Sequence, residues 1–405
     1  MRPRAGCRAL AALLTAAALV AGGCSTDDYV APPPAATDDV ADAAAASDTL
    51  ADLQAAIRDA DGPAAADLGA DAAARDLLTA VVANAAALGL ADITLRYVTE
   101  TGRTRGDDGW DGQVAVTWQV DGIDEASARI ELPVSFADHG AAIAAVGGHG
   151  ARLPLWLTGP LAVRRAGDVV VAVAGEDAGV ERYLGAARRA VEQVRAVVPG
   201  DGGLVVEVPA DTDGLRRALD TEPGQYDAIA AITAPVDGTE AAGSPVHVFL
   251  NRGIYDDLDR VAAQVVMTHE AVHALTDAVA ARQAPLWLVE GFADYVALRD
   301  VDLPLATTAG QIAEQVRQGG LPKALPAPGD FDPAASHLGA VYEAAWLVCV
   351  TLAEHAGERA LVEIYADVLS GGDPVVAVRE HAGWTEAELT AAWQDRLAGL
   401  PGVAG

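Results

Sequence analysis

His269-Glu270-Ala271-Val272-His273 is a stretch of this 405-residue chain whose residue types and spacing specify chemistry. Residues four apart on a helix share a face, so both imidazoles of an H-E-x-x-H string can reach one ion. Paired imidazole nitrogens suit zinc, and the glutamate between them projects where it can take a proton from a metal-activated water. The flanks, Val265-Val266-Met267-Thr268 and Ala274-Leu275, are largely apolar and free of Gly and Pro. Residues 258–279 are therefore expected to form one buried helix.

A second string, Pro285-Leu286-Trp287-Leu288-Val289-Glu290-Gly291-Phe292-Ala293-Asp294-Tyr295, puts Glu290 seventeen residues after His273. W-L-x-E-G-x-A-x-Y following H-E-x-x-H resembles the gluzincins, thermolysin-like and related zinc peptidases whose third metal ligand is a glutamate on the next helix. The resemblance implies zinc as cofactor, with His269, His273 and Glu290 as ligands and Glu270 as general base. It also implies that Asp294 hydrogen-bonds a ligating histidine. Helical spacing agrees, because Glu290 and Asp294 at i and i+4 share a face; one can ligate while the other orients His269. Related peptidases often place a tyrosine after the ligand helix to donate to the oxyanion. Tyr342 stands there, with His337 as a competing donor. The likeness spans about residues 230–400, although only the two strings are specific.

The elements that must position these side chains read as α+β. Residues 50–90 are Ala-rich and helical, with breaks near Asp61-Gly62-Pro63 and Gly69. Alternating runs at 93–99, 113–120 and 128–136 are strands joined by Gly-Asp or Asp-Gly turns, and 153–157, 161–165 and 169–174 continue the series. Such an N-terminal helix plus curved antiparallel sheet resembles the cystatin-like or nuclear-transport-factor-like cone. Residues 181–198 read as a helix, and 204–208, 226–233 and 246–250 as short strands. Helices follow to the end, as in a mainly helical zincin peptidase domain with a small sheet. Segment 246–250 is read either as an edge strand that pairs with an extended peptide or as an inner strand. The expected division is a signal peptide at 1–24, a linker at 25–49, an accessory domain at 50–175 and a peptidase domain at 180–400.

Arg2, Arg4 and Arg8 precede an apolar run over residues 9–21, and Ala21-Gly22-Gly23-Cys24 follows. This order marks a secretory signal too short to span a bilayer. The cysteine after small residues resembles a bacterial lipobox, which implies acylation at Cys24 and attachment to the outer face of the membrane through that lipid alone. Residues 25–49, rich in Ala, Asp and Pro, read as a flexible spacer. The formal charge of −31 works against binding nucleic acid or anionic headgroups. Cys349 is the one cysteine beyond residue 24; within an apolar helical run it reads as a small buried hydrophobe. His139 and His149, in Gly-rich loops, read as solvated.

The expected activity is zinc-dependent hydrolysis of a peptide or protein substrate. The rival is a catalytically inactive peptidase-fold lipoprotein that serves as a binding or assembly module. Glu270 weighs against the rival, since a structural ion needs no base.

Overall fold

Aspartates placed before alanine-rich runs start the N-terminal helices. Asp42 accepts from the backbone N–H of Ala44 and Ala45 and opens α1 (Ala43–Arg58). Asp61 and Asp71 cap α2 (Gly62–Asp67) and α3 (Ala72–Leu88) in the same way. Helix thus begins inside the 25–49 stretch expected to be flexible, because the cap and alanine's propensity outweigh the composition. The structure, a computed structural model, describes residues 41–105, 108–148, 150–175, 179–239, 243–332 and 337–403. The signal peptide, Cys24, most of the linker and His149 lie outside them.

Four strands follow in an antiparallel meander: β1 (Leu90–Arg105), β2 (Gly109–Val120), β3 (Ala128–Ala137) and β4 (Ala142–Val146). Residues 153–157 are not a strand. They carry no alternation, and Leu155–Leu157 forms a buried 3-10 turn behind Pro154. His139 is exposed, as expected.

The second sheet is mixed and runs β5-β6-β7-β9-β8. Its strands are β5 (Leu161–Ala166), β6 (Val169–Ala174), β7 (Leu204–Val208), β8 (Ala231–Pro235) and β9 (Val246–Leu250). The β5–β6 hairpin therefore belongs here, through parallel pairing of β6 with β7, and the expected boundary at residue 175 falls within this sheet's chain path. The strand expected at 226–233 is the shorter β8. Of the two readings of 246–250, the inner strand holds: β9 lies between β7 and β8, and β8 is the edge.

Both faces of this sheet are buried, which explains why β6 is an unbroken apolar run rather than an alternating one. Val169, Val171 and Val173 face a core shared with the C-terminal helices. Val170 and Ala172 face a second core built with α1, α3, β2 and β3. The C-terminal helices, with α4 (Val180–Arg195) and α5 (Thr212–Leu219) between strands, are α6 (Arg252–Tyr255), α7 (Arg260–Leu275), α8 (Leu286–Leu298), α9 (Leu305–Thr308), α10 (Gly310–Gly319), α11 (Leu338–Ala356), α12 (Glu358–Leu369), α13 (Pro374–Ala382) and α14 (Glu386–Ala398). Among the described residues no helix is long and apolar enough to cross a membrane.

One buried polar link crosses between the sheets. His247 of β9 places Nδ1 2.7 Å from Glu207 Oε1 of β7 and Nε2 3.2 Å from Asp124 Oδ1 in the β2–β3 turn. Burial opposes charge on this imidazole, yet the carboxylates of Asp124 and Glu207 outweigh it and push its pKa from 6.5 up to about 9. A raised histidine pKa contributes stability that is complete below the unfolded value and is lost as pH rises through the folded one. Denaturant unfolding of wild type and His247→Gln from about pH 6 to about pH 10 should show the wild-type advantage shrinking by on the order of 3 kcal/mol. An advantage that does not change with pH would show that His247 carries no charge here.

Candidate metal centre

Asp259 accepts from Val261 and Ala262 N–H to start α7, and Met267, Ala271 and Val272 bury its inner face. The helix stops at Leu275, short of the expected 279, because Asp277 adopts a left-handed conformation (φ 52). The chain then reverses through residues 276–285 and returns as α8 packed beside α7. Trp287, Leu288 and Phe292 anchor α8 in the core. Gly291 has a physical reason in this string: a Cβ there would collide with the Ala345 carbonyl, so glycine lets α8 and α11 approach closely.

This pairing brings three of the singled-out side chains to one point. His269 Nε2 and His273 Nε2 are 3.0 Å apart. Glu290 Oε2 lies 3.2 Å from the first and 3.4 Å from the second. Donors around a tetrahedral zinc with bonds of about 2.0–2.1 Å are spaced by about 3.4 Å, so two imidazoles and one carboxylate stand near the spacing a shared ion needs. The donor types also suit zinc. Asp294 Oδ1 is 2.8 Å from His269 Nδ1, which fixes the ring and leaves Nε2 turned to the centre.

The field at this point is negative. Burial disfavours a charged His269, but Asp294 and Glu290 overcome it and hold the ring well above its ordinary pKa. Burial likewise pushes Glu290 up, but His273 and His269 win and hold its carboxyl far below the usual range. A potential that favours a proton between these atoms favours a cation there too, and the two compete for the same lone pairs. The side chains of His269, His273, Glu290 and Asp294 keep 11–18% of their exposure, so the cluster is reachable from solvent.

No protein-family model matches this chain, and a search of the curated proteins finds no match.

Glu270 is joined to the sheet. The Thr233 hydroxyl of β8 lies 2.7 Å from Glu270 Oε2 and 3.0 Å from its carbonyl oxygen. Sequence reading did not single out Thr233, and nothing in its local pattern marks it. Tyr342 of α11 sets its ring 6.2 Å from that of His269 and 5.6 Å from that of Phe331. Burial first, then the carboxylates of Glu290, Asp294 and Glu270, push its phenol well above the ordinary value, so it stays a hydrogen-bond donor. His337, the competing donor, is exposed at the start of α11.

Other residues of the two strings serve packing. The Tyr295 hydroxyl donates to Glu358 Oε2 at 3.0 Å, tying α8 to α12. Cys349 is fully buried, and burial raises its thiol pKa, which makes it a core residue rather than a nucleophile. Asp367, Glu380 and His381 also cluster, but at the surface. There His381 already spends Nε2 on Asp367 at 2.6 Å and Nδ1 on Glu363 at 3.3 Å.

Proposed function

We propose that this chain is a zinc-dependent peptidase of gluzincin type, lipid-anchored through Cys24 at the extracytoplasmic face of a bacterial membrane. The observation that carries the reading is the meeting of His269, His273 and Glu290 donor atoms at 3.0–3.4 Å, with Asp294 behind His269. The finer fold proposed is a zincin-like arrangement of α7, α8 and the mixed sheet, backed by a cystatin-like or nuclear-transport-factor-like layer of α1, α3 and the meander.

In this reading His269, His273 and Glu290 hold zinc, which when bound supplies Lewis acidity to polarise a carbonyl and acidify water. Glu270 accepts the proton of the attacking water at its carboxylate and passes it to the leaving nitrogen. Tyr342 donates its O–H to the developing oxyanion. An extended peptide pairs with β8, one of the two edge strands of the mixed sheet, by β-augmentation. A cavity of about 300 Å³ beside that edge, lined by Ile232, Ala234, Tyr226, Val279 and Arg152, has room for a substrate side chain.

Metal analysis tests the centre. Purified protein should carry about one zinc per chain, and Glu290→Ala should lose most of it while keeping its fold by circular dichroism, since Glu290 is one of three donors. Protein that gains no zinc from buffer supplied with it removes the reading.

A further inference from the structure

We infer that Thr233 is a positioning residue that couples the free sheet edge to the carboxylate of Glu270, an inference that rests on the peptidase reading above. Thr233 sits at the middle of β8, opposite Val248 of β9. Its side chain lies on the face that packs against α7, where its hydroxyl meets Glu270 Oε2 at 2.7 Å and Glu270 O at 3.0 Å. The hydroxyl has one proton, and the carboxylate is the stronger acceptor, so the donated bond goes to Oε2 while the backbone contact fixes the distance between strand and helix. A threonine is stiff at χ1, which keeps that proton aimed.

The backbone of the same residue looks the other way. Asn251 N–H donates to Ala230 O and Val236 N–H to Pro245 O, each at 2.9 Å. Those bonds place residues 230, 232, 234 and 236 in the hydrogen-bonded pairs with β9. Alternation then directs the N–H and C=O of Thr233 away from β9, toward the edge on which no further strand pairs among the described residues. A peptide strand docked on that edge would be held by the backbone of the residue whose hydroxyl holds the base. Substrate seating and base orientation thus share one rigid unit, and neither requires Thr233 to touch the reacting atoms.

The contact can be read with and without catalysis. Thr233→Val keeps the branched shape but removes the donor. Losing a hydrogen bond to a charged acceptor that acts in the transition state costs roughly ten- to a hundredfold in rate. The expected result is a fall in kcat of that size, KM within about twofold of wild type, and unchanged zinc content, with Thr233→Ser restoring most of the rate. In chelator-treated protein a double-mutant cycle gives the second readout: Thr233→Val should lower the unfolding midpoint by more when Glu270 is present than in a Glu270→Ala background, where the hydroxyl keeps only the backbone carbonyl of residue 270 as acceptor. Equal losses in both backgrounds, or a Thr233→Val enzyme with wild-type kcat, overturn the inference. Because the cycle needs no substrate, it decides the contact even if hydrolysis is absent, whereas retained hydrolysis in Glu270→Gln overturns the peptidase mechanism instead.

Discussion

Glu270→Gln should retain zinc and lose peptide hydrolysis by a factor of about a hundred to ten thousand, the usual worth of a positioned general base. The roles of base and ligand fall on different residues. The three donor atoms that converge belong to His269, His273 and Glu290, and Glu270 is not among them. Glutamine has nearly the same shape and can still accept the Thr233 hydroxyl, so the contact between β8 and α7 survives the change. What disappears is the ability to take a proton. A fluorogenic peptide library assayed beside metal stoichiometry would separate the effects. If the variant cleaves at the wild-type rate, Glu270 is no base; if neither protein cleaves while both hold zinc, the rival reading of an inactive, zinc-holding module gains ground.

A fragment of residues 160–403, which keeps every proposed catalytic residue, should fail to fold. The mixed sheet has two buried faces, and the segment before β5 covers one of them. Val170, Val205, Leu215, Leu219 and Phe249 are at most 4% exposed and share a core with Trp118, Val120, Leu155 and Trp156. Each such side chain contributes about 1.5–3 kcal/mol on burial. Uncovering five removes on the order of 10 kcal/mol, comparable with the whole stability of a typical domain. His247 and Glu207 would also lose Asp124. Soluble yield and cooperative thermal unfolding of the fragment check this. A fragment that melts cooperatively and binds zinc would mean that the N-terminal layer is a dispensable attachment.

The local part of the site was legible because it depends on helical period alone. His269 and His273 share a face at any position of α7, and Glu290 and Asp294 do so on α8. That the two faces would meet was implied only by the resemblance of the two strings to the gluzincins, and the distances agree with that expectation. Helix starts were less legible: Asp42 launches α1 from a stretch whose composition reads as spacer. The run at 153–157 misled because apolar residues without alternation are buried equally well in a turn.

Sequence by itself determined which residues lie within one or two helical turns of each other, and hence that His269 and His273 share one face and Glu290 and Asp294 another. Tertiary structure alone decided what lies across elements. It made β8 rather than β9 the edge, seated the β5–β6 hairpin in the second sheet, put Thr233 against Glu270 across 37 positions, and locked Asp124, Glu207 and His247 together. The physical reason is that helical and strand periods are properties of the local backbone, whereas strand order follows from burying both faces of a sheet at once, a condition that no short window of residues contains.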